Sequence, residues 1–406
     1  THTNPSSGRI SIVGYHRLAR LLHRFPNLSR YTRIHTMSTT SPDPEVGGEQ
    51  QPLLAGVTKA TKDDAKKTSD DDEKPPTITQ DVLDTFRLGI PIFIAMLSWV
   101  GMKTTDTALL GHVSRDALSA AALSDLWTMC TAMLISGRSL DILVGGAIGA
   151  GNPKLAGIYL QVSYFCLSGV AVFVMTCWNL TEQIWTAFGS DPEIAKMAGY
   201  YARILSLSIP GQLIFGQLSQ FFSAQKIMHP EVHASLTALG FNLVFGLLFV
   251  LGVGITNFDG YGFKACPIVT SFAVYIQILV VVIFYIYGQK LHANAWDGWA
   301  YHEITWPRIK TFCELYFPAA CSMASDFWRV AVIGAVAAKL GEEEVAVFNT
   351  SYRIMWIVLV LVIAMSGASG INMSMRLGKM DPNGAKQAGY VGVAMAGAGC
   401  FLVARS

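Results

Sequence analysis

From Phe86 onward, apolar runs recur along the chain, each long enough for a helix to cross about 30 Å of hydrocarbon. The pattern predicts spans near 86–111, 117–137, 156–178, 197–223, 232–255, 265–289, 312–338 and 345–368, with a ninth beginning near Gly389. Backbone amides in lipid must be paired within their own segment, so these runs are expected to be helices. They lack the two-residue alternation of a membrane barrel. The expected fold class is an all-α polytopic membrane protein.

Composition sharpens the picture. Of 406 residues, 51% are hydrophobic and 14% are charged, against about 25% charged in a soluble domain. Residues 1–85 hold 22 of the charged residues, which leaves 36 for the other 321. This excludes one large soluble enzyme and predicts a membrane protein behind a disordered hydrophilic leader, 1–85. The net charge is +2 with no basic stripe beyond the leader, so no nucleic-acid partner is expected. The seven cysteines lie in or beside apolar runs without CxxC spacing and read as small buried hydrophobes, with no metal or disulfide role.

Within the leader, residues 1–36 carry six Arg and no acid. That composition resembles a mitochondrial transit peptide. The preferred reading is sequence ahead of the translated protein, because the chain begins with Thr and Met37 opens a different composition. The segment Glu49-Gln50-Gln51-Pro52-Leu53-Leu54 resembles the acidic dileucine address of vacuolar and lysosomal membrane proteins, although a polar tail can match it by chance.

With the N-terminus cytoplasmic, the inside loops hold eight Lys/Arg and the outside loops four, which favours that orientation. An internal repeat is also visible. Gly111 precedes a helix ending at Gly137, and Gly341 precedes one ending at Gly367, both at a spacing of 26. Each helix leads into small residues and a Pro-containing basic loop, Gly149–Lys154 and Gly378–Asn383. Paired halves are a common transporter plan, with the substrate site at their interface.

The stretch Ser139-Leu-Asp141-Ile-Leu-Val-Gly-Gly-Ala-Ile-Gly149-Ala-Gly151-Asn152-Pro-Lys-Leu-Ala-Gly157-Ile-Tyr-Leu-Gln161 carries a resemblance. It is similar to the pattern ALDTLxxQAxGAGNxxxxGxYxQ of eukaryotic multidrug and toxic compound extrusion (MATE) transporters. Asp106-Thr-Ala-Leu-Leu-Gly111-His112, Asp191-Pro-Glu-Ile-Ala and Ser325-Asp326-Phe327-Trp328 support it. Two departures stand out: Gly146 replaces the usual Gln, and Gly246 stands where some prokaryotic members have Asp. The resemblance implies a two-lobe helical bundle, with an N-lobe at 86–295 (helices 1–6). The C-lobe, 296–406, would be incomplete, holding helices 7–8 and part of 9, so a C-terminally truncated chain is expected.

Charges inside a span cost about 2.5–3.5 kcal/mol on insertion scales, so each is a functional candidate. Asp106 lies late in the first span, where burial disfavours the charged form. By resemblance it matches the family's first-helix acid, which takes up a proton or helps to bind a cation. Lys103 is expected to reach Asp106 across one helical turn. Asp326 lies mid-span with Arg329 three residues on. It reads either as an ion pair or, with Trp328 and Phe327, as a cation-binding group. Asn242 resembles the family's fifth-helix Asn, a coupling-ion ligand or an interhelical hydrogen bond. Asp125 has no evident local partner and is expected to face a cavity. Arg138 and Asp141 read as a structural clasp, and Arg353 as pairing with an acid on another helix. His229 and His233, beside Pro230, read as solvated loop histidines and not as a metal pair. Gly145, Gly146, Gly149 and Gly151 read as close helix packing, not a phosphate loop.

The expected function is secondary antiport. Organic, cationic solutes or xenobiotics would leave in exchange for protons or sodium by alternating access. No cofactor beyond the ion gradient and no metal are expected. The expected partners are small solutes and the bilayer, the expected state a monomer, and the expected location a vacuolar, lysosomal or plasma membrane. The sequence shows no zinc signature, nucleophile elbow or ATP-binding motif, so an enzyme is not expected. Two alternatives stay open: an exporter of lipid-linked or polysaccharide substrates, which a wide cationic cavity would favour, and a truncated membrane protein that does not transport.

Overall fold

The computed structural model describes residues 77–405 apart from 255 and 341, without the side chains of 335, 337–340, 342–350, 352–354, 357 and 402–405. The leader up to 76, its Glu49–Leu54 segment and the Arg353 side chain lie outside the described residues. Among the described residues there are twelve α-helices and no strand. The first six are α1 (Ile78–Val113), α2 (Arg115–Ala132), α3 (Ser139–Gly149), α4 (Pro153–Asn179), α5 (Thr181–Ala187) and α6 (Pro192–Ser206). The others are α7 (Ile209–Ser223), α8 (His229–Leu251), α9 (Ala265–Val280), α10 (Trp306–Leu340), α11 (Glu342–Gly378) and α12 (Pro382–Arg405). A π-helical turn, Val281–Gly288, extends α9.

Among the described residues, five helical segments are long and apolar enough to cross a membrane by themselves, including Ile78–Val113, His229–Leu251 and Gly262–Gly288. Their outer faces carry large exposed apolar side chains, such as Phe165, Phe173, Phe272 and Phe284, as lipid-facing helices should. Two predicted spans are instead broken. The span placed at 117–137 continues past a non-helical stretch at 133–138 into α3, ending at Gly149. The span placed at 197–223 is split between α6 and α7, because Pro210 has no amide to continue the ladder.

Non-helical backbone at membrane depth needs new partners. Tyr316 donates its hydroxyl to the Leu134 carbonyl, and Gln220 Nε2 reaches the Gly137 carbonyl at 3.3 Å. At the second break, Tyr275 donates to the Leu207 carbonyl at 2.6 Å, and Ser208 Oγ to Leu205 at 2.6 Å. Side chains from neighbouring helices thus close both breaks.

The repeat holds position by position at the ends of α3 and α11. Gly151 and Met380 both take left-handed φ, 72° and 60°. Asn152 and Asp381 follow and accept from Leu155 N at 3.2 Å and Gly384 N at 2.8 Å. Pro153 and Pro382 then open the next helices. The two ends also meet. A Cβ on Gly145 would overlap Ser374 Oγ, one on Gly149 the Met375 carbonyl, and one on Gly378 the Gly146 carbonyl. Gly145 and Ser374 are equivalent positions, as are Gly149 and Gly378, and Gly146 and Met375. The contact is therefore self-complementary about a pseudo-two-fold axis. These glycines serve close helix packing.

An ion pair seals the same end. Asp81, 2% exposed, accepts from both terminal nitrogens of Arg376, one at 3.0 Å, and from Gln387 Nε2 at 2.8 Å. This accounts for helix α1 starting at Ile78, inside the segment expected to be disordered. Outside the bundle, Gln161 fastens the 298–300 loop through Gly298 O at 3.0 Å and Ala300 N at 2.8 Å. Just beyond it, Arg308 at the start of α10 holds the Glu303 carboxyl below its usual range.

Gly149→Ala should lower the melting temperature in detergent by several degrees, since the obstacle is backbone and overpacking costs about 1–3 kcal/mol. Gly146→Ala, whose Cβ would meet nothing within 4 Å, should be neutral or slightly stabilising. Equal melting temperatures for the two variants would remove the packing account.

Candidate functional site

Three helices converge on Asp106. The residue sits in α1 and is 2% exposed. From α9, Thr270 Oγ1 lies 2.9 and 2.8 Å from its two carboxylate oxygens. From α8, Asn242 Nδ2 donates to Asp106 Oδ1 at 3.1 Å. The approach depends on small residues, since a Cβ on Gly246 or Gly101 would press into Leu109 or Leu239. A hydroxyl has one proton, so Thr270 serves one carboxylate oxygen at a time. It also contacts the Cys266 carbonyl at 3.1 Å. The Asn242 carbonyl oxygen, fully buried, has no donor.

Lys103 does not pair with Asp106, as its spacing suggested. Its Nζ crosses to α2 and lies 2.8 Å from Asp125 Oδ1. Asp125 therefore has a partner, against the expectation that it stood alone. Asp106 faces α8 and α9, whereas the long Lys103 side chain extends to the neighbour on its other flank.

Thr270 and Lys103 open on a cavity of about 250 Å³ lined by α1, α2, α4, α6, α7, α8 and α9. Its wall is apolar and soft, with Trp99, Trp178, Met96, Met102, Met129 and Phe215. Besides Lys103 and Thr270, its polar groups are Gln212, Gln277, the hydroxyls of Thr128, Ser136, Ser208 and Ser235, and at the far end Glu231, which accepts from Ser223 Oγ at 2.9 Å. Met133 and Ser136 of the first break and Leu205 and Ser208 of the second also line it.

The remaining candidates lie elsewhere. Asp326 is exposed on α10, 3.2 Å from Arg329. Trp328 is 55% exposed, and Phe327 packs edge-on against Trp356. Arg138 Nε binds Asp141 Oδ2 at 2.7 Å and lies against Gly367 of α11. His229 and His233 are not loop residues. They occupy the first turns of α8, where Pro230 fits because its missing amide would be unpaired anyway. Their rings are 6.2 Å apart, and His233 bonds the Tyr285 hydroxyl. No group of three or more His, Cys, Asp or Glu among the described residues could hold a metal ion.

Sequence reasoning missed Thr270 and Glu231. A threonine in an apolar run carries no distinctive signal, and its role appears only when α9 meets α1. Glu231 was masked by its neighbour Pro230, which suggested a loop.

A buried carboxylate beside a cavity, within a bundle of broken and continuous apolar helices, is the architecture of an integral membrane protein. The MatE family model matches residues 91–248. Multidrug and toxin extrusion protein 1 of Xenopus tropicalis is 25% identical over 329 residues, covering 79% of this chain and 55% of that protein. A probable multidrug resistance protein NorM of Burkholderia pseudomallei is 26% identical over 331 residues, covering 79% and 68%. The eukaryotic MATE transporter AtDTX14 has a similar fold, with a TM-score of 0.71 at 18% identity over 80% of this chain and 72% of that one. The chain is thus similar to MATE transporters in sequence over residues 91–248 and in fold. It spans 55% and 58% of the lengths of the frog relative and of an uncharacterized transporter from Schizosaccharomyces pombe.

Thr270→Val removes one of the two donors to Asp106 at nearly constant shape. The loss should be about 1.5–3 kcal/mol while the carboxyl is charged, and smaller once it is protonated. The melting-temperature penalty should therefore be larger at alkaline than at acidic pH. A pH-independent penalty would mean that Thr270 does not serve the anion.

Proposed function

We propose that the chain is a secondary antiporter that exports organic, cationic solutes in exchange for protons or sodium by alternating access. The observation that carries this reading is the Asp106 site, a dehydrated carboxylate joined through Thr270 to an aromatic- and methionine-lined cavity with Glu231 at its far end. Such a wall suits a flat or apolar solute, and a carboxylate with aromatic faces suits its positive charge. The names of the relatives, multidrug and toxin extrusion and multidrug resistance, point the same way. The cavity wall bears Lys103, already paired with Asp125, and the acidic Glu231. It lacks the surplus of cations that a lipid-linked or polysaccharide substrate would call for.

Asp106 does the coupling. While ionised, it accepts from Asn242 and Thr270. Neutralising it removes the reason for those donors to face it. Turning the Asn242 amide would present its free carbonyl oxygen to the new O–H, so the group can be satisfied in either state. Alternating access would then part the α3–α11 contact and the Asp81–Arg376 pair at the end where the chain enters α1. No cofactor takes part; the ion gradient supplies the energy. A role for Asp326 and Trp328 in binding the cation rests on family resemblance alone.

Purified protein in vesicles should take up a fluorescent organic cation when a pH or sodium gradient is imposed. Asp106→Asn should cut that gradient-driven rate at least tenfold. Coupled uptake at the original rate in this variant would refute the role given to Asp106.

A further inference from the structure

The two ends of the cavity carry opposite charge. At one end, only Lys103 of the Lys103–Asp125 pair lines the wall, and Asp106 stands behind Thr270, outside the lining. At the other end the wall holds the carboxylate of Glu231. We propose that Glu231 holds the positive charge of the solute, and that the cavity takes a monocation with an apolar body, its charged head at Glu231 and its uncharged end toward Lys103. This rests on the reading of the cavity as the site of an organic cation, and it names the residue and the class of solute.

Helix geometry sets the two ends apart. Gly101 lies against Leu239, Asp106 bonds Asn242, and Leu109 lies against Gly246, so α1 and α8 run side by side in the same direction. On α8, Glu231, Ser235, Ala238 and Asn242 share one face, and Glu231 lies about 16 Å from Asn242 along the axis. Helix α9 runs the other way, with Thr270 bonded to Asn242 and Ala273 clustered with Ala238, which carries Gln277 toward Ser235. Between the ends the wall is apolar, with Trp99, Met102 and Val274.

Glu231 is half-buried, and its Oε2 accepts from Ser223 Oγ at 2.9 Å. Arg138, the cation that acts on it, has its Nε on Asp141 Oδ2 at 2.7 Å, so the guanidinium charge is already matched. His229 and His233 stand two residues away on either side along α8 and so face away from Glu231, His233 toward the Tyr285 hydroxyl. A carboxylate in such a wall attracts a cation more strongly than one in bulk water does. By the same rule the Lys103 ammonium repels a second positive charge at the opposite end.

Three para-linked probes of one shape separate charge from fit: phenylpyridine, uncharged at mildly alkaline pH, N-methylphenylpyridinium, and the dication N,N′-dimethylbipyridinium. Their binding to the purified chain in detergent is read by calorimetry, with no gradient present. The wild type should bind the monocation at least tenfold more tightly than either other probe. Glu231→Gln, which can still accept from Ser223, should weaken the monocation at least tenfold and leave the neutral probe within twofold. Ser235→Lys, one turn along the same face, should do the same if the Gln variant does not fold. Lys103→Met with Asp125→Asn should raise the affinity for the dication at least fivefold. Unchanged monocation affinity in Glu231→Gln, equal losses for the monocation and the neutral probe, or a wild type that binds the dication as tightly as the monocation or binds no monocation would overturn the proposal. If binding behaves as stated but no gradient drives uptake, the antiport reading fails and the Glu231 assignment stands. Coupled uptake together with an unchanged Glu231→Gln affinity does the reverse.

Discussion

A carboxylate that must be able to ionise where there is almost no water is the constraint on which this molecule turns. Left bare in hydrocarbon, the anion of Asp106 would cost several kcal/mol. Two hydrogen-bond donors from other helices lower that cost, and bringing them close is a packing problem before it is a chemical one. Asn242 reaches the carboxyl because α8 lies hard against α1, and that approach needs Gly101 and Gly246 in place of larger residues, while Thr270 reaches it from α9. The small residues, the polar residues and the buried charge are parts of one arrangement. The Asp106 anion gets fewer donors than a carboxylate can accept, which would leave it responsive to a cation in the proposed antiport.

The two helix breaks obey the same economy. Irregular backbone is tolerated at membrane depth only when buried in protein or lining a polar space. Both breaks do line the cavity, and their freed carbonyls are taken by Tyr316, Gln220 and Tyr275 from neighbouring helices. A bundle of straight helices would pack this volume with side chains. The breaks turn helix ends aside and leave room among the seven helices that line the cavity. The cavity therefore follows from where the ladders are interrupted.

Hydropathy located the spans well, because the lipid imposes its thickness on any helix that crosses it. It also singled out Asp106, since a carboxylate in a twenty-residue apolar run stands out. The breaks were not legible. Pro210 marked one, but the stretch at 133–138 has no proline and depends on Tyr316, which comes from a distant helix. Partner choice was illegible for a related reason: i,i+3 spacing says which residues share a helix face, not which neighbour a long side chain prefers. Lys103 turned to Asp125 for that reason. His229 and His233 were misplaced because Pro230 was read as a breaker, although a proline in the first turn is a normal helix start.

The repeat in the sequence becomes physically meaningful at the meeting of α3 and α11. A contact that sets Gly145 against its equivalent Ser374, and Gly149 against Met375 as Gly378 against Gly146, is made of small residues and backbone, with few interlocking side chains to withdraw. Such a surface can part as a unit. The Asp81–Arg376 pair breaks the symmetry, for the residue equivalent to Arg376 is Ala147. Its chemistry would still suit the opening that the proposed alternating access requires. A buried ion pair gains little over the same two charges in water, because their attraction is offset by lost hydration. It holds firmly while water is excluded and gives way readily once water enters, so the closed end is specific in geometry without being deeply stabilised.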